Sequence, residues 1–154
     1  MKFLFFLSLV IFFSCQNPKV LEKKINITVP DEIPFAKNFQ IYVPEKNSFG
    51  DSLIMSISEF RDLKVSIEDL TKINPSGIES FLDETLTKCN NLLNLKNNNL
   101  IARPEIRGRL KVLKTNILKC KFNNYQNDIK NLNKNLKGLF LSYNILFERL
   151  EDLR

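Results

Sequence analysis

The segment "IKNLNKNLKGLFLSYNILFERLEDL", Ile129–Leu153, decides the reading of the fold. Ile129, Leu132, Leu136, Leu139, Tyr143, Leu146, Leu150 and Leu153 follow one another at spacings of three and four without a fault. That alternation places all eight on one stripe of a helix and sustains the stripe for more than three heptads. Phe140 and Phe147 widen it on one flank, which suits the interior of a helical bundle better than a narrow two-stranded coil.

Moving toward the N-terminus, Ile106, Leu110, Leu113, Ile117 and Cys120 repeat the pattern in a helix that opens at Pro104, where a missing amide costs little. Between the two helices lies "KFNNYQND", Lys121–Asp128, with neither glycine nor proline. Asparagine at that density is a poor helix interior, so a break is expected near Asn123–Asn127. The alternative is a single helix of about 50 residues, in which Leu118, Phe122 and Tyr125 carry the seam across to Ile129.

Two earlier helices complete the expected set. Leu53, Ile57, Phe60, Ile67 and Leu70 line one that starts near Asp51 and stops at the turn "NPSG", Asn74–Gly77. Ser76 and Glu79 then form a capping box for the next, whose seam is Leu82, Leu86, Cys89 and Leu93 and which "NLKNNN" terminates. The expectation is therefore all-α: an antiparallel bundle of about four helices over residues 51–154.

Residues 15–50 read differently. Pro18, Pro30, Pro34 and Pro44 rule out a continuous helix there, and the alternating runs "KINITV" and "FQIYV" are short strands at best. This region is expected to be an extended tether, or else a disordered linker whose "FQIYV" can pack on a neighbouring surface.

At the start, Phe3–Phe13 is apolar but for Ser8, follows Lys2, and ends in Ser14 and Cys15. The run is too short for a membrane span, which needs roughly 20 apolar residues, and has the layout of an export signal. Ordinary secretory cleavage wants small residues at the last and third-last positions, which Ser14 satisfies and Phe12 does not. The apolar run closing on a lone cysteine resembles the signal of a bacterial lipoprotein. That resemblance implies removal of residues 1–14 and acylation of Cys15, and hence a palmitate-type anchor in a membrane. Gln16 and Asn17 bring no acidic charge after the cysteine, which on the same resemblance implies the outer membrane with the domain facing the periplasm. Two or more acyl chains hold a protein stably where one does not.

The 154-residue chain has no histidine and no tryptophan. Ser-His-Asp and Cys-His devices are thereby impossible, and the commonest metal ligand is missing. Glu68 with Asp69, and Asp83 with Glu84, are adjacent pairs that point to different helix faces and cannot jointly flank a bond. No glycine-rich phosphate loop is present among four scattered glycines. The expectation is a chain that is not an enzyme and uses no cofactor.

Cys89 and Cys120 invite a disulfide in an exported chain. If the second and third helices form a hairpin, however, Cys89 lies opposite about Leu110, and Cys120 is then about 15 Å further on. A bridge requires Cα atoms within about 7 Å, so two buried thiols are the preferred reading.

From Arg103 to Lys137 ten basic residues face only Glu105 and Asp128. Arg107, Lys111, Lys114 and Lys121 recur at helical spacing, as do Lys130, Lys134 and Lys137. Nucleic acid is not expected on an exported chain. These stripes are either solvated faces or contacts for an anionic neighbour, such as lipid headgroups or an envelope protein. Two functional classes follow: a structural or protein-interaction module, and a helical binder of lipid or another apolar ligand lined by Phe140, Tyr143 and Phe147. Any exposed remnant of the last seam would favour self-association.

Overall fold

Side chains of Ser48, Asn98 and Asp128 cap three of the helix starts, and the apolar stripes set what each helix buries. The computed structural model describes residues 41, 48–73 and 77–153, which form six helices and belong to one unit of the chain. The described residues are all-α, with no strand among them. Cys15, the proposed signal, most of the tether and Ser76 lie outside them.

Helix α1, Phe49–Ser56, starts behind Ser48, whose hydroxyl accepts a hydrogen bond from the amide of Asp51 at 3.1 Å. Such a cap satisfies one of the donors that a helix start leaves unpaired. Helix α2, Ser58–Thr71, buries Phe60, Leu63, Ile67 and Leu70. The single helix expected from Asp51 is thus two, divided at Ile57, whose backbone is extended (φ −117°, ψ 109°). Serines at 52, 56 and 58 surround the break. Those at 52 and 56 turn their hydroxyls onto the carbonyls of Ser48 and Leu53 and so compete with regular helix bonding.

Helix α3, Ile78–Asn94, buries Ile78, Leu82, Thr85, Cys89 and Leu92. Leu82 and Cys89 of the expected seam are fully buried, but Thr85 and Leu92 take the core places expected of Leu86 and Leu93, which are only partly buried. Thr85 tolerates full burial because its hydroxyl donates to the carbonyl of Phe81 at 2.7 Å. Asn98 caps the short helix α4, Asn99–Ala102, by accepting from the amides of Leu100 and Ile101. Arg103 is extended, as the residue before a proline tends to be, and α5, Pro104–Tyr125, begins. Ile106, Leu110, Leu113, Ile117 and Cys120 are all fully buried.

The break before α6, Ile129–Glu151, is a Schellman motif built without glycine. Asn127 takes the left-handed conformation at φ 53°, and its amide donates to the carbonyl of Asn124 at 3.0 Å. The amide of Asp128 donates to Asn123 at 2.9 Å. Asp128 then caps α6, accepting from the amide of Asn131 at 3.0 Å, and that bond holds its carboxyl below the usual range. Helices α5 and α6 are therefore separate, and α6 runs back along α5 so that Asn116 donates to the carbonyl of Gly138 at 3.1 Å.

In α6, Leu132, Leu136, Leu139, Tyr143, Leu146 and Leu150 are fully buried, with Phe140 and Phe147 beside them. Each such side chain contributes on the order of 1.5–3 kcal/mol by leaving water. Ile129, expected in this seam, is half exposed because it stands at the turn, beyond the end of the core. Helix α2 packs on α3, α3 on α5, and α5 on α6, while α1 packs on both α2 and α6. Phe60 of α2 meets Phe147 of α6 edge to face at 6.2 Å between ring centres. Ile41, from "FQIYV", packs against this core.

Candidate functional site

The basic residues singled out in the sequence part into two groups once the helices are packed. On α5, two of four bond to α3 and a third is partly buried beside it. The Arg107 guanidinium donates to the carbonyl of Leu93 at 3.2 Å, covering an acceptor that the last turn of α3 leaves open. Lys114 stands near the thiol of Cys89 on α3. Lys121 forms an ion pair with Asp83, also on α3. Only Lys111 of that stripe is exposed, the other three being partly buried.

On α6 the arrangement is the reverse. Lys130, Lys134 and Lys137 are all exposed, and none of them has an ion pair among the described residues. Lys119 of α5, which falls off the helical spacing of the α5 stripe and was not singled out with it, is exposed too. It lines a shallow groove with Leu118, Phe122 and, from α6, Asn135.

Beside these lysines, the turn between α5 and α6 carries four large apolar side chains in water. Their exposures are 45% for Leu118, 63% for Phe122, 81% for Tyr125 and 50% for Ile129. Sequence reasoning noticed Leu118, Phe122 and Tyr125 only as a possible bridge of the core seam to Ile129, which it placed in the α6 seam. The one-position shift from Ile117 to Leu118, which takes this stripe off the α5 core seam, was the available signal that it faces outward.

The remaining chemistry is quiet. Cys89 and Cys120 are free and buried, and the Cys89 thiol lies 3.6 Å from the carbonyl of Leu110 as a donor. Burial raises both thiols to about 12. Burial likewise raises the Tyr143 hydroxyl, which lacks a hydrogen-bond partner among the described residues. Among those residues, no three cysteine or carboxylate side chains gather as a metal site, and no helix is long and apolar enough to cross a membrane. No protein family matches the chain, and neither does any curated protein or solved structure.

Proposed function

We propose that this chain is a lipid-anchored protein of the cell envelope that acts as a structural or protein-interaction module rather than as an enzyme. In this reading, residues 1–14 are removed, Cys15 carries the lipid, residues 15–50 tether the domain, and the four longer helices form an antiparallel bundle. The mature domain faces the periplasm from the outer membrane, where its partners are an envelope protein or anionic lipid. The observation that carries the proposal is the apolar run Phe3–Phe13 ending in Ser14 and Cys15.

The interior lends support. A binder of apolar ligands would need Phe140, Tyr143 and Phe147 to line a space. Instead Tyr143 and Phe147 stack at 4.3 Å and all three are buried in the core, which favours the interaction module. Burial of the seam from Leu132 to Leu150 inside its own domain leaves little of it for self-association.

Intact mass and membrane partitioning, compared with a Cys15→Ser variant in a bacterium with a lipoprotein pathway, test the anchor. Loss of residues 1–14 with added acyl mass, seen only in the parent chain, is the expected result. Identical masses and identical partitioning for the two would defeat it.

A further inference from the structure

We propose that the α5–α6 turn is a wedge that inserts into the interface of an anionic lipid surface. The proposal deepens the anionic-lipid part of the reading above and rests on that part alone, since it requires no acylation of Cys15.

Leu118, Phe122 and Tyr125 stand at i, i+4 and i+7 on the last turns of α5 and so share one stripe. Ile129 continues it across the Schellman turn. Phe122 is a ridge between two open grooves, one holding Lys119 and the other Lys121 and Tyr125. With a tyrosine at 81% exposure, this surface projects instead of receiving. A projecting cluster of aromatic and aliphatic side chains suits a fluid interface, where rings sit at the headgroup level and lysine stems lie along the apolar layer.

Charge selects the surface. From Arg107 to Leu146 the only acidic residue is Asp128, which is occupied in capping α6; α3 adds Glu79 at the groove beside Phe122 and Tyr125, and Asp83, which is paired with Lys121. Lys119 lines the groove beside Phe122 and Lys130 follows Ile129 at the start of α6; both are exposed, as is Lys134 one turn further along α6. A two-fold contact between copies through this tip would set lysines against lysines, so a second copy is a poor occupant. Anionic headgroups satisfy the lysines and hydrocarbon the ridge between them.

The absence of tryptophan makes the tip directly readable. In the full chain reconstituted into vesicles, Tyr125→Trp and, from the α6 side, Ile129→Trp should show blue-shifted emission. Brominated acyl chains should quench it when phosphatidylglycerol is present, but not in phosphatidylcholine alone. Each of Lys119→Gln, Lys130→Gln and Lys134→Gln should reduce the inserted population about fivefold. Met55→Trp, exposed on α1 and far from the turn, should keep its emission in water. Circular-dichroism melts confirm that each variant is folded.

Unshifted emission from both tip reporters with anionic vesicles overturns the wedge, whatever the mass of Cys15 shows. An equal shift at Met55→Trp does so as well, and so does a shift produced only by an acidic protein.

Discussion

Glu151, the last residue of α6, accepts a hydrogen bond from the amide of Gly50, in the first turn of α1, at 3.0 Å. The same carboxylate takes the hydroxyl of Ser48, so the cap of the first helix and the end of the last are one hydrogen-bonded unit.

A Cβ at position 50 would meet the Glu151 carboxylate, which can swing aside only by giving up its bonds to Ser48 and Gly50. Gly50→Ala should therefore destabilise the domain, and Glu151→Ala should cost about 1–2 kcal/mol through lost charge-assisted bonds at a partly buried site. Gly108, on the exposed side of α5, has no neighbour within 4 Å of a built Cβ. Gly108→Ala should instead stabilise by about 1 kcal/mol, the ordinary helix preference. Urea unfolding of the three variants checks the opposed signs.

Asn127 should accept glycine freely and reject a branched side chain. Asn127→Gly is expected to leave the melting temperature near its starting value, whereas Asn127→Val should cost about 1–2 kcal/mol for a left-handed residue. If valine is as stable as glycine there, the turn does not hold α5 and α6 apart in the way described.

Acid should act first at the start of α6. Asp128 has its carboxyl held low by the bond from Asn131, so its contribution is present above its unfolded value of about 3.9 and is lost as pH falls through the folded value. Hydrogen exchange at Ile129–Leu132 should quicken in that window before the core amides respond.

The thiols should be inert and should weigh against alkaline pH. Burial lifts Cys89 and Cys120 to about 12, whereas unfolded thiols ionise near about 8.5. The contribution of the neutral thiols is thus complete below about pH 8.5 and fades as pH climbs toward their folded value. Alkylation of either cysteine should need unfolding, and Cys89→Ala with Cys120→Ala should flatten the alkaline loss of stability. Rapid labelling of the folded protein would contradict the buried geometry.

Tyr143 buries a hydroxyl with no partner among the described residues, which costs free energy. Tyr143→Phe keeps the ring and its contact with Phe147, so it should be neutral or stabilising by about 1 kcal/mol. A clear loss of stability on calorimetry would mean that the hydroxyl has a partner after all.

The long helices were legible because their apolar residues keep a period of three and four: five of five expected α5 positions are fully buried. The break at Asn123–Asn127 was legible in composition, but not its mechanism, since asparagine stands where glycine is usual. The division at Ile57 was hidden because the period survives it and neither glycine nor proline marks it. Arg107 and Lys121 looked like surface charge for a different reason. The pattern along α5 cannot show that α3 supplies a carbonyl for one and a carboxylate for the other. Phe122 and Tyr125 show the limit from the opposite side, since an apolar side chain reads as core until the packing leaves it outside.

The joining of Ser48 and Gly50 to Glu151 also determines how the domain bears load. The chain reaches α1 at the end of α6 opposite the α5–α6 turn, and α6 spans about 33 Å between them. A pull on the preceding segment first meets the grip of Glu151 and passes into the longest helix, whose other end carries the exposed turn. Were that segment the tether and the turn seated on a surface, as proposed, tension would pass from one pole to the other through α6, and the helices between would not be peeled away in sequence.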